Sequence, residues 1–394
     1  MDESAENKVI TDQSDTGTSK CRGNVKEVLL LFLRLGATSF GGPAAHTAIM
    51  HDEVVRRRKW LSDQKFLDLI GVTNLIPGPN STEMAIHIGF LRAGWPGLIA
   101  GGLGFIMPAF CIVLILAWAY VRYGSSPQVG WILYGIKPVV IAIILQALWQ
   151  LSRKALKGYL LFIIGAGVVL GYFLGVNEII LLFGGGLIVL LAENFKKIKT
   201  SGHLSSWLPM IGFPALATTT FSSSLLFLSF LKIGAVLYGS GYVLLAFLRS
   251  EFVLRLGWLT EKQLLDAVAI GQFTPGPFFT TATFIGYVLG GFKGAILATT
   301  GIFLPSFIFV AISYRLLQRY KDSRVVRSLL NGVNASALGL MAAVAWQLGL
   351  ASITDLLTVL IALGSFILLS CFKVNSTWLI VGGGVIGMIS TFFR

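Results

Sequence analysis

Charge is distributed along this chain in blocks. Residues 96–121, 158–176, 294–314, 328–354 and 374–393 contain no Asp, Glu, Lys or Arg at all. An apolar run of about twenty residues is what an α-helix needs to cross a hydrocarbon core of roughly 30 Å, so each block predicts a transmembrane helix. Two further apolar segments are interrupted by the same tripeptide, Pro77-Gly78-Pro79 and Pro275-Gly276-Pro277. Proline is accepted in the first turn of a helix and disfavours helix in the residue before it, so each tripeptide reads as stop, turn and restart. The flanks are short. Residues 63–76 and 80–92 as helices reach only about 20 Å each. They predict a pair of half-helices folded back on the PGP turn, with broken backbone at membrane depth lining a cavity or buried in protein.

The pattern occurs twice. Phe32-Leu33-Arg34-Leu35-Gly36-Ala37 matches Phe230-Leu231-Lys232-Ile233-Gly234-Ala235 at an offset of 198 residues, a register kept by Glu53 and Glu251, Trp60 and Trp258, Asp68 and Asp266, and Pro77 and Pro275. After one deletion the offset is 197, pairing Gly89 with Gly286, Pro108 with Pro305 and Trp149-Gln150 with Trp346-Gln347. Each copy therefore specifies the same unit. A first apolar helix ends near Gly41-Gly42-Pro43 or Gly239-Ser240-Gly241, an amphipathic helix leads to Trp60 or Trp258, and the PGP hairpin and four apolar helices follow. Ser62 and Thr260 are placed as N-caps, the latter with Gln263 in a capping box. The expected domains are a polar, disordered cytoplasmic tail over 1–24, a first repeat over 25–199, a connecting segment over 200–224 and a second repeat over 225–394.

Composition and charge narrow the class. Of 394 residues, 55% are hydrophobic and 12% charged, with a mean hydropathy of +0.78, against about a quarter charged in soluble domains. The net charge of +13 lies in short loops between apolar blocks and forms no polar domain, which fits positive-inside orientation rather than nucleic-acid binding. The first copy is basic at Arg56-Arg57-Arg58-Lys59, Arg153-Lys154 and Lys196-Lys197; the second is basic instead at Arg315, Arg319, Lys321, Arg324 and Arg327. This exchange of sides predicts two halves of opposite topology, with residues 204–221 supplying the odd crossing. If that segment lies on the surface, the inversion fails. Cys21, Cys111 and Cys371 are widely spaced and indicate neither disulfides nor a metal site. The acidic start has no signal-peptide core.

The candidate chemistry is anion binding. Arg34 and Lys232 sit at equivalent positions inside apolar helices, where a cation costs about 2.5 to 3.5 kcal/mol unless paired, hydrated or used. The competing reading is that both snorkel to an interface. A helix N-terminus carries roughly +0.5 charge, so two hairpin tips meeting at mid-membrane with these two cations hold about +3. That matches a desolvated dianion. Gly41, Gly42, Gly78 and Gly276 mark the breaks, and Asn80, Ser81, Thr82, Thr280 and Thr281 offer amide and hydroxyl donors. Glu83 and His87, spaced i, i+4 after the first PGP, form a candidate proton carrier or a local hydrogen-bonded pair. Glu53 and Glu251 are expected to pair with neighbouring arginines, and His46 and His51 have no ligand spacing. No nucleophile motif, Walker loop or metal motif is present, so neither an enzyme nor a bound cofactor is expected.

With Phe40-Gly41-Gly42-Pro43, Trp60-Leu61, Pro77-Gly78-Pro79 and their second-copy equivalents in view, the chain resembles the chromate ion transporter family in its long bidomain form from Val25 onward. The resemblance implies an all-α polytopic membrane protein of two inverted repeats. It further implies export of chromate across the bacterial cytoplasmic membrane, with sulfate as a related or exchanged dianion. A sulfate or other oxyanion carrier with incidental chromate transport is the alternative within transport; a membrane-embedded enzyme is the alternative outside it. Monomer and homo-oligomer both stay open. The second copy departs from the pattern at Gly239-Ser240-Gly241 and at Phe278-Phe279, which replaces Asn80-Ser81.

Overall fold

The computed structural model describes residues 24–40, 42–124, 126–198, 220–238, 241–316 and 323–390. Gly41, Gly239-Ser240, the tail 1–23 and residues 204–219 of the expected extra crossing lie outside them. The first repeat consists of α1 (Val25–Thr38), α2 (Gly42–His51), α3 (Asp63–Thr73), α4 (Asn80–Tyr123), α5 (Pro127–Ala155), α6 (Tyr159–Phe173) and α7 (Glu178–Ile198). The second consists of α8 (Ser223–Val236), α9 (Leu244–Leu248), α10 (Glu261–Phe273), α11 (Thr281–Leu316), α12 (Arg324–Ser352), α13 (Leu356–Cys371) and α14 (Ser376–Ser390). Every one of the first seven has its counterpart at the offset read from the sequence. Even the π-helical turns repeat, at Asp52–Arg57 and Arg249–Arg255.

The PGP hairpins form as the sequence predicts. Ser62 Oγ accepts from the Lys65 N–H, and Thr260 and Gln263 close a reciprocal capping box. Both helices stop before the prolines, and α4 restarts at Asn80. It is not one rod. Ala93 and Gly94 leave helical geometry, as do Gly290 and Gly291 in α11. A Cβ on Gly89 would run into the Gly97 carbonyl and one on Gly101 into the Ala85 carbonyl, so the limb 80–92 lies antiparallel against the long limb that follows. Gly286 and Gly294 repeat the contact. The reversal needs a residue at positive φ, which Gly94 (+65°) and Gly291 (+60°) supply.

One expectation changes. The amphipathic helix before Trp258 is a short 3-10 turn (Gly241–Val243) followed by α9, all five of whose residues are buried. It packs under α12, so no polar face is needed. The two Trp anchors also differ. Trp60 is stacked by the guanidinium groups of Arg58 (5.3 Å) and Arg92 (5.0 Å), both paired with Glu27, whereas Trp258 meets Phe221 at 5.2 Å and Phe252 at 6.2 Å.

The repeats interlock. Gly135 of α5 faces the Gly383 backbone of α14, and its equivalent Gly332 of α12 faces Gly185 and Gly186 of α7. Each long helix thus packs against the other repeat's last helix, with glycines allowing backbones to touch. The largest buried cluster draws on both halves, from Val113, Ile144 and Ile164 to Phe230, Phe252 and Phe303. Outward faces are apolar. Trp149 and Trp346 are 55% and 63% exposed, which suits lipid and not water. Among the described residues four helices are long and apolar enough to cross a membrane, with α6, α8, α13 and α14 as shorter apolar helices. This is a multi-pass membrane protein of two homologous halves, each with a helical hairpin broken at its PGP turn.

Candidate functional site

Each hairpin tip is held by the end of the other repeat's first helix, and the two bonds are reciprocal. The Gly78 N–H donates to the Leu237 carbonyl at 2.8 Å, and the Gly276 N–H donates to the Ser39 carbonyl at 2.9 Å. Ser39 and Leu237 are equivalent residues, each just past the end of the first helix of its repeat. Gly78 adopts φ +136° and Gly276 +90°. Each tip has no room for a side chain: a Cβ on Gly78 would meet the Glu83 carboxylate and lie 2.6 Å from Ser306 Oγ, and one on Gly276 would lie 2.9 Å from the Gly36 carbonyl oxygen.

Beside the tips lies a cavity of about 850 Å³. Its floor takes Gly42, Pro79, Asn80 and Ser81 from the first repeat and Gly241, Phe278 and Phe279 from the second. Both chain restarts therefore border it. At the start of α4 the Thr82 and Glu83 N–H groups bond the Pro79 carbonyl, while those of Asn80 and Ser81 lie in the first turn, where the helix has no acceptor to offer them. Such a terminus favours an anion. The walls are the C-terminal half of α5, with Gln146, Gln150 and Lys154, and the N-terminal half of α12, with Arg327, Asn331 and Asn334. These equivalent helices run in opposite directions, so one mouth gathers Lys154, Lys157 and Arg327. Glu193 is the one carboxylate among the lining residues, and it accepts from Ser328 Oγ. Cation excess at a mouth concentrates anions.

Of the residues singled out in the sequence, Gly42, Asn80 and Ser81 line this cavity. Asn80 Nδ2 donates to Asn74 Oδ1 at 2.8 Å. Gly78 and Gly276 stand behind the floor, and Thr82 is fully buried. Thr280 and Thr281 donate their hydroxyls to the Pro277 and Phe278 carbonyls, both at 2.8 Å, closing the turn they start.

Arg34 and Lys232 are not at the cavity. Arg34 Nη2 lies 2.5 Å from Glu53 Oε1, and Lys232 Nζ lies 2.5 Å from Glu251 Oε2. The π-helical turn brings each carboxylate back onto the first helix, which neutralises the cation there. The glutamates do also hold their neighbouring arginines, Arg57 and Arg255. Lys232 borders a separate cleft of about 50 Å³ with Glu178, Ser250 and Arg255. Glu83 and His87 are 0% and 1% exposed. They do not bond each other: both ring nitrogens of His87 are buried without a hydrogen-bond partner, and Glu83 Oε1 accepts from Ser306 Oγ of the other repeat at 3.4 Å.

The cavity's amides carried a sequence signal. Gln146 and Gln150 are spaced i, i+4 and Asn331 and Asn334 i, i+3 within apolar stretches, which puts each pair on one helix face. Polar residues at such positions in membrane helices mark functional sites. Lys154 and Arg327 were legible as orientation markers and not as part of a site.

The family model described as Chromate transporter matches residues 26–190 and again 224–388. A chromate transport protein of Cupriavidus metallidurans is 31% identical over 376 residues, 93% of either chain. A probable chromate transport protein of Synechococcus elongatus is 33% identical over 365 residues, 89% of this chain and 91% of that one. An uncharacterized transporter of Bacillus subtilis is 27% identical over 145 residues, 36% of this chain but 82% of its own length. No solved structure matches.

Proposed function

The chain belongs to the chromate transporter family, and from that premise we propose that it exports chromate across the cytoplasmic membrane, binding the dianion in the cavity between the hairpin tips. The observation that carries this reading is the convergence of two helix restarts with Gln146, Gln150, Asn331 and Asn334 under a basic mouth. Amides and backbone N–H groups donate to all sides of a tetrahedral oxyanion, and they do so without fixing it as tightly as a buried cation would. A carrier needs that weakness to release its load.

The basic mouth faces the cytoplasm by the positive-inside rule. Lys154 and Arg327 draw the anion in, Asn80 and Ser81 meet it at the first tip, and Phe278 and Phe279 form an apolar wall opposite. Glu83, directly behind Gly78 and one helical turn before His87, is the group whose protonation would reach the tip. Arg34 and Lys232 serve by anchoring the π turns to the first helices. Sulfate has the same shape and charge, and nothing among the lining residues discriminates against it. The relatives are named as transport proteins, in keeping with carriage rather than bond-making chemistry.

The test is uptake of labelled chromate and labelled sulfate into inverted membrane vesicles, with membrane potential and pH gradient imposed separately. Chromate accumulation under one of these gradients is expected, with excess sulfate competing. Accumulation of sulfate alone would make this an oxyanion carrier of the other kind; accumulation of neither would end the transport reading.

A further inference from the structure

The polar residues that line the cavity have pseudo-symmetric counterparts at the opposite end of the same two helices, and those counterparts are tied up in bonds. Under the 197-residue offset, Asn331 and Asn334 of α12 map onto Tyr134 and Lys137 of α5, and Gln150 of α5 maps onto Gln347 of α12. The first set faces open space. The second set is bonded throughout. Lys137 Nζ lies 2.9 Å from Asp266 Oδ1, with side chains 13% and 0% exposed, and Tyr120 donates to Asp266 Oδ2 at 2.8 Å. Tyr134 donates to Asp355 Oδ2 at 2.5 Å. Tyr172 donates to Gln347 Oε1 at 3.2 Å and accepts from Arg249 at 2.9 Å, and Arg249 is paired with Glu261 at 2.5 Å.

We propose that Tyr134, Lys137 and Gln347 line a second, latent vestibule on the opposite face, that the Lys137–Asp266–Tyr120 cluster is its gate, and that Lys137 becomes the cation meeting the departing oxyanion when the gate opens. This rests on the transport reading for the identity of the anion, but not for the existence of the vestibule. Three observations support it. The asymmetry is confined to positions that the repeat makes equivalent, so one backbone plan already accommodates both an open and a closed arrangement. The closing residues join elements that would have to separate: α4, α5 and α10 in one cluster, α6, α10 and α12 in the other. The open side lacks the means to close in this way, because Tyr172 is replaced at the equivalent position by Leu369 and Lys137 by Asn334. A buried ion pair with a hydrogen-bonded hydroxyl is a two-state element: intact it holds, and once one partner is neutralised the other is left uncompensated.

The exchange is reciprocal. Opening one vestibule must close the other if the tips pass the anion between them, so the two mouths compete for one population.

The test uses full-length protein in proteoliposomes, with Cys21, Cys111 and Cys371 changed to Ser. A reporter cysteine is placed at Ala343, the 1% exposed equivalent of Gln146, or at Gln146 itself. A membrane-impermeant maleimide is applied from either side. Asp266→Asn and Lys137→Gln are each expected to raise labelling of Ala343→Cys from the face opposite the basic mouth by roughly tenfold, and to lower labelling of Gln146→Cys. No rise at Ala343→Cys in either variant would overturn the proposal. So would a rise at both reporters together, since that reports loosened packing instead of exchange. The readout needs no substrate: reciprocal labelling without chromate transport would refute the proposed function and leave the gate standing.

Discussion

The two hairpin tips share a backbone and differ in side chains. Gly78 and Gly276 both have positive φ, and both donate to the carbonyl that follows the other repeat's first helix. Yet one restart presents Asn80-Ser81 to the cavity and the other Phe278-Phe279. The backbone is what two interlocked copies need in order to meet at an axis, so it is kept in both. On the proposed function the side chains answer to a single substrate, and one polar tip suffices if the other supplies a dry wall that stops water competing for the anion. Duplication has fixed the geometry twice and left the chemistry free to divide.

The comparison can be broken at its shared part first. Gly78→Val and Gly276→Val should each cut transport by tenfold or more at matched membrane abundance, because a left-handed residue costs about 1–2 kcal/mol before the steric contacts are counted. Tolerance of one and not the other would end the equivalence of the tips. It is sharpened by Asn80→Ala, expected to raise the half-saturating chromate concentration by about tenfold through loss of a charge-assisted hydrogen bond. Phe278→Ala should change turnover and leave that concentration within about twofold. A milder effect is expected at the mouth: Lys154→Gln or Arg327→Gln should weaken uptake by roughly two- to threefold at low salt, a difference that disappears near 0.5 M salt as screening shortens. Smallest on affinity are Arg34→Gln and Lys232→Gln. Each strips a partner from a nearly buried glutamate, so membrane abundance should fall while the half-saturating concentration holds, as quantitative blotting alongside the transport assay would show.

The fold was legible because its signals are local. Uncharged blocks, PGP turns, the Ser62 and Thr260 caps and the 198-residue register are all read directly from the residues, and the structure reproduces them, except that the blocks 158–176 and 374–393 form helices of only 15 residues, shorter than the hydrocarbon core needs. The site was legible only at the tips. Arg34 and Lys232 stood out because a cation in an apolar helix demands a partner, but the partner lay nineteen residues on, across a π turn that no periodicity announces. Gln146, Gln150, Asn331 and Asn334 were passed over because an uncharged amide stands out less in an apolar run than a cation does, and only the antiparallel approach of α5 and α12 turns the two pairs into one lining. Lys137 and Asp266 belong to different repeats, so their meeting depends on the interlock itself.

The central claim is that the anion binds at the polar tip and not at the intramembrane cations. Equilibrium binding of radiolabelled chromate to purified protein in detergent tests it directly, comparing wild type, Asn80→Ala with Ser81→Ala, and Arg34→Gln with Lys232→Gln. Binding lost in the tip variant and retained in the double cation variant is the predicted result. Binding retained at the altered tip and lost with the two cations would contradict the account and return the site to Arg34 and Lys232.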